Sequence, residues 1–156
     1  MFTKTMQVPL MILTAAVLMT ACTDSTPPAP EESPPVPHVG QGLMAGEATA
    51  TSVIVQARLT QDADLVDGHS PGQTGSGRFE IDSDPGFQNP TQSGLLEAVP
   101  GFDFILKHQF TGLKPGTDYY YRMHFGSGQQ PDQISDTATF RTLPGADSTD
   151  EVSFVA

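Results

Sequence analysis

Short apolar runs with an alternating pattern recur along residues 41–144 and predict β-strands. The clearest run is TSVIVQARLT, residues 51–60, in which every second residue is apolar. Those positions are Val53, Val55, Ala57 and Leu59. Gln56 and Arg58 fall on the opposite face. One apolar and one polar face are typical of a half-buried strand in an antiparallel sheet.

Six further runs predict strands, at residues 42–49, 77–82, 93–99, 103–110, 118–125 and 136–142. In GRFEID, residues 77–82, Phe79 and Ile81 alternate with Glu80 and Asp82. Phe87 is the last residue of the turn SDPGF and is predicted to pack back onto the core. Seven short strands separated by turn residues, with no helical period, predict an all-β antiparallel sandwich.

Composition agrees with this and excludes some functions. Gly 15 and Pro 14 are high, and Trp is absent, which favours turn-rich β-structure. The formal net charge of -11 opposes binding to nucleic acid, because a polyanion is repelled and no basic stripe offsets the repulsion. One cysteine allows neither an internal disulfide nor a multi-cysteine zinc site.

Residues 1–21 resemble a secretory signal peptide, with Lys4 followed by an apolar run up to Ala21. The run LMTAC at residues 18–22 resembles the bacterial lipobox, which predicts lipidation of Cys22. Acyl chains would then anchor the protein to a membrane of the cell envelope. We expect the outer membrane or a periplasmic or extracellular face. The alternative is an ordinary signal peptide cleaved nearby, which leaves a free thiol.

The segments on either side of the predicted sandwich differ from it in composition. Residues 22–40 are rich in Pro, Ser and Glu and predict a disordered, extended tether behind the lipidated cysteine. Residues 145–156 end in EVSFVA, an apolar, β-forming run. We expect this end to be a linker and the first strand of a further domain.

The stretch GLKPGTDYYYRMHF, residues 112–125, is the most specific part of the sequence. It resembles the L-x-P-G-T-x-Y stretch of fibronectin type III-like domains, which are immunoglobulin-like sandwiches. The matching residues are Leu113, Pro115, Gly116, Thr117 and Tyr119. The resemblance implies a tyrosine corner, in which the Tyr119 hydroxyl bonds to backbone just upstream and the ring enters the core. Tyr121, Met123 and Phe125 would follow it inward, with Arg122 and His124 on the other face.

A broader resemblance covers residues 39–144. The runs GLMAGEATATSVIVQARL, FEIDSDPGF, GLKPGTDYYYRMHFG and SDTATFRTLP resemble, in this order, the N-terminal domain of alkaline phosphatase D-like metallophosphoesterases. In that family a fibronectin type III-like or purple acid phosphatase-like sandwich precedes the catalytic domain. The resemblance implies that divalent or trivalent metal ions and their ligands lie beyond residue 156. Gln56 and Glu47 depart from the family's usual Trp and Asp.

Within this chain, the residues offer little chemistry of their own. The four histidines show no H-x-H or H-E-x-x-H spacing. The acidic run of Asp62, Asp64 and Asp67 lacks the Gly and Glu positions of a calcium loop. No nucleophile motif is present, and the Gly-rich stretch at residues 72–77 leads into a strand, not a helix. We therefore expect no catalytic, cofactor or metal residues here.

Two functions follow from these features. The first is an accessory N-terminal domain of a cell-envelope phosphatase or phosphodiesterase, present here without its catalytic domain and packing against that domain in the longer protein. The second is a complete, non-catalytic surface lipoprotein. Its sandwich would bind a protein or polysaccharide through loops such as residues 61–77 and 126–133.

Overall fold

The computed structural model describes residues 35–149, which form nine short strands and one 3₁₀ turn. The strands are β1 (Leu43–Gly46), β2 (Ser52–Arg58), β3 (Gly75–Asp82), β4 (Thr91–Gln92), β5 (Leu96–Ala98), β6 (Ile105–Thr111), β7 (Asp118–Gly126), β8 (Gln133–Ile134) and β9 (Ala138–Arg141). The 3₁₀ turn is Pro100–Phe102. Residues 35–149 contain no α-helix.

The strands form two antiparallel sheets. The first sheet has the order β1-β2-β6. In the second sheet, β3 pairs with β7, β4 and β5 pair with β3, and β8 and β9 pair with β7. The predicted all-β antiparallel sandwich is therefore confirmed.

The core lies between the sheets and is built from alternate residues of the strands. The apolar face of the 51–60 run is buried, with Val53, Val55 and Leu59 at 0% exposure. Phe79 and Ile81 of β3 and Tyr121, Met123 and Phe125 of β7 are also buried in this core. Full burial of one such side chain contributes about 1.5–3 kcal/mol. The inward faces predicted for these strands are confirmed.

Several strand ends differ from the predicted ones. The run 93–99 does not form one strand. Glu80 pairs with Gln92 and Gly77 pairs with Leu96, so two residues of β3 face three residues of the neighbouring chain segment, 93–95. This bulge separates β4 from β5. The first strand ends at Gly46, not at residue 49, because Glu47 takes a left-handed conformation with φ +50°.

The prediction that Phe87 packs onto the core is wrong. Its side chain is buried, but it does not belong to the core cluster. The ring lies against the guanidinium of Arg122, whose central carbon is 4.1 Å from the ring centroid. Arg122 alternates with the inward residues of β7, so Phe87 covers the outer face of the second sheet.

Contacts with the sandwich begin at Pro37, which is buried, and at His38, which exchanges backbone hydrogen bonds of 2.8 and 2.9 Å with Thr60. The predicted signal peptide at 1–21, Cys22, most of the tether and residues 150–156 lie outside the described residues. From residue 35 to residue 149, the chain forms no helix with the length and hydrophobicity needed to cross a membrane.

Candidate functional site

A corner between β6 and β7 holds the four residues Leu113, Pro115, Gly116 and Tyr119 together. The backbone N–H of Lys114 donates a 3.0 Å hydrogen bond to the Tyr119 hydroxyl. The Tyr119 ring is 8% exposed and stacks on Phe140 of β9, with 5.6 Å between ring centroids. Gly116 has φ +59°, which glycine adopts at low cost. Through Tyr119, the corner connects the loop before β7 to both β7 and β9.

Thr142, directly after β9, ties the end of the sandwich to the same corner. Its side chain is buried at 1% exposure. The hydroxyl donates to the carbonyl of Lys114 at 2.7 Å and accepts from the N–H of Thr117 at 2.9 Å. One hydroxyl therefore satisfies two backbone groups of the loop that also holds Tyr119.

Leu143 is held by backbone hydrogen bonds from two different loops. Its N–H donates to the carbonyl of Thr49 at 3.0 Å, and its carbonyl accepts from the N–H of Gly116 at 2.9 Å. We call residues 113–119, Thr142 and Leu143 the exit clamp. Because the clamp fixes both groups of the Leu143 backbone, it sets the direction in which the chain leaves the sandwich.

The outer face of the second sheet carries a polar cluster around Glu80. Glu80 is 3% exposed, although its place in the alternation predicted an exposed side chain. Arg122 donates to Oε1 of Glu80, and the amide of Gln92 donates to Oε2 at 3.0 Å. His124 Nε2 is buried and lies 3.2 Å from Oε1.

The environment of Glu80 shifts its acidity in two opposing directions. Burial raises the pKa of the carboxyl, but the contacts with Arg122, His124 and Gln92 together lower it more strongly. The net pKa lies below the ordinary value, so Glu80 is ionised at neutral pH. It is a structural anion that holds Arg122 and His124 in place.

The loop that covers this cluster is fixed by Asp82. Its carboxylate accepts the backbone N–H groups of Asn89 at 2.9 Å and Asp84 at 3.1 Å, which lowers the pKa of Asp82. These two bonds hold residues 83–89 as a tight loop and position Phe87 against Arg122. The sequence showed the turn, but it could not show which face of the sheet Phe87 would cover.

The remaining sequence candidates do not come together. His38 lies before β1, His69 in a loop, His108 on β6 and His124 on β7. Burial lowers the pKa of His108, which packs edge-on against Phe110 with 4.7 Å between ring centroids. The acidic side chains of Asp62, Asp64 and Asp67 are exposed. Among residues 35–149, no three His, Cys, Asp or Glu side chains are arranged to hold a metal ion.

Comparisons with known proteins place this geometry in a family. The family described as PhoD-like phosphatase, N-terminal domain, matches residues 23–144. The solved structure of PhoD is 28% identical, with a TM-score of 0.57, over 77% of this chain and 22% of the PhoD chain. The chain thus spans less than a quarter of the length of PhoD. No curated protein matches the chain.

Two further solved structures show the fold alone. The sensor domain of the anti-sigma factor RsgI4 of Pseudobacteroides cellulosolvens is 16% identical, with a TM-score of 0.50 over 72% of this chain and 96% of that domain. The fibronectin type III domain of human fibronectin type III domain containing protein 3 is 14% identical, with a TM-score of 0.50 over 80% and 100%. The sandwich is therefore fibronectin type III-like, and the chain belongs to the family of PhoD-like phosphatase N-terminal domains.

Proposed function

We propose that this chain is the accessory N-terminal domain of a cell-envelope phosphatase or phosphodiesterase whose catalytic domain follows it in the longer protein. The observation that carries the proposal is the family match over residues 23–144, which concerns an N-terminal domain and not the catalytic part. The similar PhoD chain is also much longer than this one, since the match covers 22% of it.

The exit clamp supports an accessory role. A domain that only tethers its neighbour needs no particular geometry at its end, whereas a domain that orients its neighbour must hold the connecting chain. Here Thr142 and Leu143 make five hydrogen bonds of 2.7–3.0 Å to the loops at residues 49 and 114–117. We infer that the sandwich serves as a rigid mount for the catalytic domain.

Metal chemistry belongs to that catalytic domain in this proposal. Metallophosphoesterases use bound metal ions to activate a nucleophile and to neutralise phosphoryl oxygens. Residues 35–149 provide no group of ligands that fits such an ion, so no catalytic step is assigned to them. The contribution of this chain is to position the catalytic domain.

The N-terminal segment supplies the membrane attachment in the proposal. Lipidated Cys22 would anchor the protein in the cell envelope, in the outer membrane or on a periplasmic or extracellular face. The Pro-rich residues 23–36 would separate the sandwich from the lipid surface. Metabolic labelling with a palmitate analogue tests this: the wild-type protein should be labelled, and Cys22→Ser should not.

The enzymatic part is tested by expressing the whole reading frame and the 156-residue chain side by side. Hydrolysis of p-nitrophenyl phosphate and of bis-p-nitrophenyl phosphate is measured with added Ca²⁺, Mn²⁺, Fe³⁺ or Zn²⁺. The proposal predicts activity in the whole product and none in the 156-residue chain. A whole product without phosphoesterase activity, or a frame that encodes no further domain, would contradict it and favour a binding lipoprotein.

A further inference from the structure

The outer face of the second sheet carries most of the arginines of a chain whose net charge is -11. Of the four arginines between residues 35 and 149, three lie on this face: Arg78, Arg122 and Arg141. His124 lies on the same face, directly across from Arg78 in the pairing of β3 with β7. The same face also carries four acidic residues, so an arginine here is distinguished by whether a carboxylate neutralises it; these residues are Glu80, Asp82, Glu97 and Asp118.

Arg78 differs from the other three arginines in its bonding. Arg58 is bonded to Asp103 and Ser70, Arg122 to Glu80, and Arg141 to Asp118. The guanidinium of Arg78 makes no hydrogen bond or ion pair with any residue from 35 to 149, although the residue is half-buried. A half-buried arginine whose five N–H donors are unused offers a strong hydrogen-bond donor site to a carboxylate.

Exposed apolar residues lie on either side of β3, the strand that carries Arg78. In the register of the sheet, Arg78 pairs with His124, and His124 pairs with Ile134 of β8, which is 55% exposed. On the other side, the bulge between β4 and β5 contains Leu95, which is 40% exposed. Arginine is enriched at the centre of protein–protein interfaces, and the exposed Ile134 on the same face adds apolar area that a partner can bury.

The bulge that carries Leu95 is held in a fixed shape. Ser93 Oγ accepts the backbone N–H of Phe79 at 2.9 Å and donates to the carbonyl of Gly94 at 2.8 Å. The Arg122–Glu80 pair and the ring of Phe87 fix the neighbouring part of the face. A surface that is ordered before it binds loses little conformational entropy on binding.

We propose that this face, centred on Arg78, is the surface on which the catalytic domain docks, through a carboxylate flanked by apolar side chains. The inference rests on the proposed function, which supplies the catalytic domain. The chain leaves the sandwich after β9, and β9 pairs with β7, the strand that carries His124. His124 lies six positions along β7 from Asp118, at the exit, which is about 20 Å of strand. A domain connected at the exit clamp is therefore held at high effective concentration next to this face.

The experiment compares amide hydrogen exchange in the whole protein and in the 156-residue chain. The measured residues are 122–126 of β7 and 133–134 of β8. If the domains dock, these amides should exchange at least about tenfold more slowly in the whole protein than in the 156-residue chain. Arg78→Ala should remove most of this difference. Arg78→Lys keeps the positive charge but loses the planar guanidinium that binds a carboxylate through two hydrogen bonds. It should therefore remove part of the exchange difference.

Lys107→Ala is the matched control. Lys107 lies on β6 of the first sheet with an exposed side chain, so the substitution removes one positive charge from the opposite sheet. It should leave the exchange difference unchanged. Equal effects of Arg78→Ala and Lys107→Ala would overturn the inference.

Two other outcomes identify a different situation. If the whole protein hydrolyses phosphate esters but residues 122–126 and 133–134 exchange equally fast in both proteins, the docking inference fails and the proposed function stands. If the 156-residue chain alone gains protection as its concentration rises, the face binds a second copy, and the inference is also overturned. A frame without a catalytic domain overturns both proposals.

Discussion

Replacement of Thr142 by Val tests whether the exit clamp is a structural unit. Val has nearly the same shape as Thr, so the buried site keeps its packing and loses only the hydroxyl. The N–H of Thr117 then lacks its 2.9 Å acceptor, and the carbonyl of Lys114 lacks its 2.7 Å donor. Each lost hydrogen bond should lower the free energy of unfolding by about 1 kcal/mol, so the two together should lower it by about 2 kcal/mol.

A loss of this size is readily measured. For a domain of this size it lowers the melting temperature by roughly 10 °C. Urea unfolding followed by circular dichroism gives the free energy directly, and the slope of the transition should not change. Thr142→Ser, which retains the hydroxyl, should lose less than Thr142→Val.

Thr139→Val is the control, because Thr139 lies on the same strand with an exposed side chain. It should change the free energy of unfolding by less than about 0.5 kcal/mol. If Thr142→Val were as stable as this control, the hydroxyl would not hold the exit, and the interpretation of the clamp would be refuted.

Three further substitutions test other parts of the structure. Tyr119→Phe keeps the ring on Phe140 and removes the acceptor of the Lys114 N–H, so it should cost about 1–2 kcal/mol in urea unfolding; an unchanged midpoint would contradict this role. Glu80→Gln should destabilise the domain at neutral pH. Because the folded pKa of Glu80 lies below its ordinary value of 4.5, its stabilisation is present above about pH 4.5 and is lost as the pH falls through the folded pKa. The difference between the two proteins should therefore narrow on acidification, and a constant difference from pH 7 to pH 3 would contradict the assignment. Glu47→Asn should raise the free energy of unfolding by up to about 1 kcal/mol, since Asn tolerates the left-handed conformation better; a thermal melt below that of the wild type would contradict this.

The parts of the fold that depend on local pattern could be predicted from the sequence. The alternation in residues 51–60 placed Val53 and Val55 in the core, because a strand has a period of two whatever its partner is. The resemblance to the L-x-P-G-T-x-Y corner implied the same for Tyr121 and Met123. The L-x-P-G-T-x-Y stretch marked the loop before β7 for a related reason. Its turn residues and its tyrosine lie within seven positions of each other.

The parts that depend on distant contacts could not be predicted in this way. Glu80 shows the alternation of an exposed residue, and its burial arises because the loop of Phe87 folds over the outer face. The partners of Thr142 lie 25 and 28 residues upstream, so a lone threonine at a strand end carries no signal. Likewise, the unpaired state of Arg78 depends on which side chains the register of three strands places next to it.

Reading the coding DNA beyond the codon for Ala156 tests the claim that this chain is the accessory domain of a phosphatase. The frame is expected to continue into a metallophosphoesterase domain whose Asp, His and Asn residues form a set of metal ligands. A stop codon at that position would contradict the claim and would make the sandwich a complete, non-catalytic surface lipoprotein.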